Sequence, residues 1–358
     1  TRDETNNMTT GVMQDNDLPT DIDFVGAKLY MQPNNGGWSW LFTAKVTAVE
    51  GNEFTFETHS NSGKTNNGEG YHNNSRYYFY NKLSLLDTVG EWYHNKNNEM
   101  LYLWLPDNNV PENNIIEAKK RVYGFNLSNR SYIVIKGINF FACNITTDDQ
   151  SGGDGVGFNV DGTPRYPWRY GSIANSHHVT LDGISCLYPS HSSDMNGHFF
   201  FQYGSHSGIV LSGEDHVLKN SIIRYSFANA ISLLGNRHKI LNNLITDINY
   251  NAGGYGALGQ SAALAYDCEF AYNTVRRTGR SGIRQGFRNS DPSNIVARIH
   301  HNVISDFMIQ DNDGGGYYHS GNGGFLRVDH NIIHSAKGVM KNGIYPDYAK
   351  NYIYDHNV

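Results

Sequence analysis

SGIVLSGEDHVLKNSIIRYSFANAISLLG, residues 207–235, strings short apolar and β-branched runs between Gly, Asn and Asp corners. Each run is too short for a helix, which needs about ten residues at a 3.6-residue period. Short apolar runs bounded by turn residues fit strands buried in a stack. The same grammar extends upstream in YIVIKGINFFACNI (132–145) and HVTLDGISCLY (178–188), and downstream to the end of the sequence.

An Asn followed by apolar residues and a polar tail recurs at Asn220, Asn243, Asn273, Asn302, Asn331 and Asn357, at intervals of 23, 30, 29, 29 and 26 residues. Repetition in that range marks a solenoid. With three short strands to a turn, each strand pairs in parallel with its counterpart one turn on. The recurring Asn then has a structural explanation, because it tolerates a left-handed corner and its amide can bond from turn to turn. A second register, SGI (207–209), NAI (229–231), SGI (281–283), KGV (337–339) and NGI (342–344), puts a small residue where the chain bends into the next strand. About seven or eight turns are expected.

Residues 1–128 read differently. KVTAVEGNEFTFETH (45–59) alternates as antiparallel strands do, and GEWYHNKNNEMLYLWLP (90–106) reads as a hairpin, Glu91 to His94 against Met100 to Leu105. The expected fold is therefore all-β: a small antiparallel domain over 1–128, then a right-handed parallel β-helix over 129–358 carrying a groove.

Composition narrows the function. Of the 358 residues 39% are hydrophobic and 17% charged, enough for a continuous core, and the net charge of −6 comes without a basic run that could track phosphates. Nucleic acid is not an expected partner. Nor is a membrane, since no apolar stretch reaches the roughly 18 residues of a spanning helix. The sequence opens TRDETNN with neither an initiator Met nor an apolar leader, so any export signal lies outside it; a secreted or periplasmic location is the expectation. Cys143, Cys186 and Cys268 lack metal or redox spacing and read as buried thiols.

The segment SDFMIQDNDGGGYYHSGNGG (305–324) breaks the rhythm with Asp306, Asp311 and Asp313, and NGIYPDYAKNY (342–352) brings Asp347 one turn later. Carboxylates on adjacent turns lie about 5 Å apart along the axis plus any lateral offset. That range spans the spacings used in glycoside hydrolysis, where one acid protonates the leaving oxygen and the other attacks or activates water. Asp313, Asp347 and Asp311 are thus the candidate catalytic acids. Asp311 and Asp313 beside glycines also suit Ca²⁺, the alternative occupant, although no metal or cofactor is required by this chemistry. Candidate sugar contacts are Asp247, Tyr250 and Tyr255, Arg280 and Arg284, Tyr318 and His319, and Tyr345, since aromatic faces stack on sugar rings and Arg and His bond hydroxyls. SHSSD (190–194) with His198 and the loop SGGDGVG (151–157) are candidates for the groove's rim.

LLDTVGEWYHNKNNEMLYLWLP (85–106), YGFNLSNRSYIVIKGINF (123–140), SHSGIVLSG (205–213), DNDGGGYY (311–318) and GIYPD (343–347) resemble parallel β-helix glycoside hydrolases of families 120 and 141. The resemblance implies action on xylosides or fucosylated and xylan-type plant polymers, with the acid of the DGGG segment, Asp313 or Asp311, and Asp347 as catalytic carboxylates. It departs from the family pattern at Tyr318 and Pro346. The expected partner is a plant or algal polysaccharide or oligosaccharide, and hydrolysis is the expected reaction. The alternatives are a uronate lyase, in which Arg280, Arg284 and His319 neutralise the acid and abstract a proton, and a β-helix that binds carbohydrate without turnover.

Overall fold

The computed structural model describes residues 8–32, 42–59, 75–106, 112, 115–121, 123–148, 174–190, 207–250, 256–286 and 297–358. The chain divides into two compact units, Thr1–Lys119 and Lys120–Val358. The strand Tyr123–Asn126, placed by its sequence in the first domain, belongs to the second unit because it pairs in parallel with Asn144–Thr146.

The first unit holds a five-stranded antiparallel sheet. Phe42–Glu50 and Glu53–His59 form the expected hairpin about Gly51, and Phe54, Phe56, Leu29 and Met31 are fully buried on the sheet. The second hairpin runs Trp92–Asn95 against Met100–Leu103, with Trp104 donating its N–H to the Glu91 carbonyl at 2.9 Å.

The second unit is a right-handed parallel β-helix. One turn reads Ile209–Glu214, Val217–Lys219, Ile222–Ser226, and the next Ile231–Asn236, Lys239–Leu241, Leu244–Ile248, every strand in register with its predecessor. Three sheets result. The third, from Asn139–Phe141 to Ile332–His334, is seven-stranded; the first and second join through the long strand Tyr317–Asp329. Columns of Ile and Val such as Ile223, Ile245, Val275 and Ile304 fill the interior at 0% exposure.

Inside the corner between the second and third sheets runs the asparagine ladder. The Oδ1 atoms of Asn273, Asn302, Asn331 and Asn357 each accept both the backbone N–H and the Nδ2 of the Asn one turn earlier, at 2.9–3.1 Å. The ladder begins one residue away from the expected position: Ser221, not Asn220, donates its N–H to Asn243 Oδ1. Asn220 is exposed and takes the left-handed conformation, as do Asn242, Tyr272, His301, His330 and His356. So two jobs assigned to one residue are divided between neighbours. The corner residue adopts positive φ and the residue after it bonds inward.

The small-residue register also needs one correction. Gly208, Ala230, Gly316 and Gly343 immediately precede first-sheet strands and Gly282 is the second residue of its strand, whereas Gly338 of KGV lies in a loop, against the Asp311 carbonyl. At Gly282 a Cβ would stand 2.6 Å from the Gly316 carbonyl oxygen and overlap Ile304, and at Gly316 it would stand 2.9 Å from that of Gly343. Close approach of successive turns thus selects glycine here.

The three cysteines carry free thiols, and Cys268 is pushed up to about 12 by burial, so its thiol is inert at neutral pH. In the same interior column His216 and His238 stack at 5.0 Å, each ring bonded through Nε2 to a carbonyl, of Ser212 and Leu234, and through Nδ1 to a backbone N–H, of Val179 and His216. Burial holds His216 down at about 4 and, with repulsion from His216, His238 at about 3. A folded pKa below the unfolded value of about 6.5 means that the stability these rings contribute is complete above pH 6.5 and is lost as pH falls toward 4. His238→Asn keeps a neutral acceptor for the His216 N–H. The melting-temperature advantage of the native protein over this variant should shrink between pH 7 and 4.5; a constant difference would refute the assignment.

Candidate active site

The first sheet decides which side chains meet solvent. Ile283, Tyr317 and Ile344 form one column by register and belong to the core, so the next column, Arg284, Tyr318 and Tyr345, points outward. Asp347, opposite Ser320 and two residues beyond Tyr345, points outward too. The Arg284 guanidinium lies 5.8 Å over the Tyr318 ring, and Tyr318 stacks on Tyr345 at 5.2 Å. Tyr318 donates its hydroxyl to Asp347 Oδ2 at 3.1 Å. Four of the sequence candidates thus stand together.

The partly exposed Asp347 is raised above the ordinary carboxylate range, chiefly by burial and further by the charge of Asp313, while the Tyr318 hydrogen bond and Arg284 pull the other way. Asp313, on the turn before, is the carboxylate whose charge bears on Asp347. It sits on the loop between Val303–Ser305 and Tyr317–Asp329, which is tied down at both ends. Met308 N–H bonds the Arg280 carbonyl at 2.7 Å, Asp311 N–H the Gly279 carbonyl at 3.1 Å, and Asn312 Oδ1 accepts the Val339 N–H at 3.0 Å.

Arg280 does not face a ligand as the sequence suggested. It is 3% exposed and donates through Nε to the Asp313 carbonyl at 2.6 Å and through Nη2 to the Asp313 carboxylate. Its Nε also lies 3.7 Å from Asp311 Oδ2. Asp311 is likewise buried, at 1% exposure, and its Oδ1 accepts the Asp313 N–H at 2.8 Å. Burial above all pushes Asp311 up to about 7, against the pull of Arg280. A Ca²⁺ ion between these carboxylates would have to displace the guanidinium already lying against both, and the described residues contain no group of three or more His, Cys, Asp or Glu that could hold a metal.

His319 also departs from expectation. Strand alternation turns it inward, away from Tyr318, and its fully buried ring bonds the Tyr352 hydroxyl with ring centroids 4.4 Å apart. Tyr352, which the sequence did not single out, belongs to the same long edge strand as Asp347. Asp247 and Tyr250 occupy a separate cluster at the corner between the third and first sheets. Asp247 is forked by Arg277 from the next turn, with Arg224 at 3.6 Å from the turn before, and these bonds hold its carboxyl below the usual range. Tyr250, 41% exposed, is pushed up to about 12 by burial and by Asp247. The 30-residue spacing of Asp247 and Arg277 was the signal for this pairing, since it equals one turn at that level. Asp306 pairs instead with Lys337 at 3.1 Å. Tyr255, the 151–157 loop, and His198 with residues 191–194 lie outside the described residues.

Coils, asparagine ladder and the outward Asp347 together define a right-handed parallel β-helix with a carboxylate on its outer face. Residues 190–358 match the family model described as the right handed beta helix region. A solved structure titled "Glycoside hydrolase" matches with a TM-score of 0.56 over 100% of this chain and 72% of that chain, at 12% identity, a likeness of fold. No curated protein matches.

Proposed function

We propose that the protein is an exported glycoside hydrolase acting on a plant or algal polysaccharide or oligosaccharide, with Asp347 as proton donor and Asp313 as base or nucleophile. The carrying observation is the outward Asp347, raised by burial and by the Asp313 charge while bonded to Tyr318. Hydrolysis needs one carboxyl that keeps its proton and a second that is ionised, and two coupled carboxyls in unequal surroundings divide those roles. The Arg280–Asp313 ion pair is complete only while Asp313 is charged. Arg284 and Tyr345, partly exposed against the buried Tyr318 ring, offer the adjoining stacking and hydroxyl-bonding surface. The fold likeness to a structure titled glycoside hydrolase supports the same reading.

The test is a panel of plant and algal glycans, including xylans and fucosylated polymers, assayed for new reducing ends and for ultraviolet absorbance of an unsaturated uronate. Reducing ends without that absorbance are expected. Absorbance in step with cleavage would replace the hydrolase by a lyase, and retention of glycan on the protein with no cleavage would leave a binding β-helix.

A further inference from the structure

Among the described residues, Asp311 and Asp313 both lie against the Arg280 guanidinium, on unequal terms. The side chains of Asp311, Arg280 and Asp313 are 0%, 3% and 4% exposed. An ionised Asp311 would be a buried charge with one carboxylate oxygen unbonded among the described residues, which costs several kcal/mol unless a proton is taken up. Geometry says where the proton belongs. Asp313 receives the direct Nη2 bond from Arg280, and its carbonyl receives the Nε bond. Asp311 only borders Nε at 3.7 Å, and its Oδ2 takes part in no hydrogen bond among the described residues. The charged groups bearing on Asp311 there are Arg280, from the turn before Ser281–Gly286, and Asp313, from its own loop. The loop from the next turn meets the Asp311 backbone with Gly338, and Lys337 of that loop is paired with Asp306.

We infer that Asp311 is a positioning residue that works in its protonated form: it fixes the backbone of Asp313 through one hydrogen bond and, by staying uncharged, does not draw Arg280 away from the Asp313 carboxylate. The role rests on the hydrolase reading only for its catalytic consequence. Burial, which favours the neutral acid, acts in the same direction. Ionising Asp311 above neutral pH divides Arg280 between two carboxylates and loosens Asp313, which makes Asp311 a brake on activity at alkaline pH as well as a source of instability there.

The sign follows from linkage. A carboxyl whose folded pKa lies near 7, above the unfolded value of about 3.9, is fully favourable at low pH, and that contribution is lost as pH rises through 7. Asp311→Asn keeps the shape and the Oδ1 acceptor without an ionisable group. On the full chain without ligand, the melting temperature of Asp311→Asn relative to the native protein should rise by about 3 °C or more between pH 5 and pH 8. Asp311→Ala removes the acceptor and should be less stable at both pH values. On the glycan that responds in the panel, Asp311→Asn should keep kcat within about threefold at pH 6 and extend activity to higher pH, an effect a packing role would not produce. A relative melting temperature that is flat or falls with pH would overturn the inference. Full activity in Asp313→Asn and Asp347→Asn would overturn the hydrolase reading and leave the melting result standing.

Discussion

Asp347→Asn lowers turnover of a polymeric substrate by about 10²–10⁴-fold, the range that a positioned general acid supplies. The loss depends on the leaving group. An aryl glycoside departs without protonation, so the variant should cleave it with a much smaller defect, whereas Asp313→Asn should lose both substrates because attack or water activation is needed in each. The native pH profile carries the same signature. The proton donor must be protonated, so activity falls as pH rises through the elevated pKa of Asp347, an alkaline limb lying above the ordinary carboxylate range. Equal losses on both substrates in Asp347→Asn would reverse the roles of the two acids, and near-native turnover in both variants would remove them from the chemistry. Tyr318→Phe deletes the hydroxyl that opposes the rise and should move that limb further upward.

How legible this site was in the sequence follows from strand geometry. Period and composition located the coils, because stacked turns force the same residue types to recur wherever the interior must be filled. They also brought Tyr318, Tyr345, Arg284 and Asp347 to one face, since all four lie on first-sheet strands. Inward or outward direction was less legible. A strand's side-chain period is two, so the neighbours Tyr318 and His319 cannot both face the sugar; at the corner, where no strand period applies, Asn220 stands one residue before the ladder. The strand Tyr317–Asp329 adds register shifts after Ser320 and Asn322, which no local pattern announces. Burial in loops was not legible. DNDGGG looks like an open acidic loop, and only Gly279 and Arg280 from the previous turn, with Gly338 from the next, make Asp311 an interior residue.

The ladder supplies the largest effect on stability. Asn302 receives the backbone N–H and Nδ2 of Asn273 on Oδ1, and its own Nδ2 donates to the Phe270 carbonyl and to Asn331 Oδ1. In Asn302→Ala the Asn273 N–H and the Phe270 carbonyl lose these partners in a region where the flanking Asn residues are about 1% exposed. Each unmade bond of a buried group costs about 1–3 kcal/mol, which predicts a loss of about 3–5 kcal/mol in chemical denaturation. The neighbouring rungs lose cooperativity with it, since each Oδ1 is polarised by two donors from the turn before. Asn220→Gly is the control. That residue is exposed and left-handed, with side-chain bonds among the described residues to Asp182 and Asn242, so glycine relieves its backbone while water replaces its partners, and the change should stay below about 1 kcal/mol. Similar losses at 220 and 302 would mean that the amides merely decorate the corner; a loss confined to 302 makes them the element that sets the spacing of the turns, and with it the register that carries Asp313 toward Asp347.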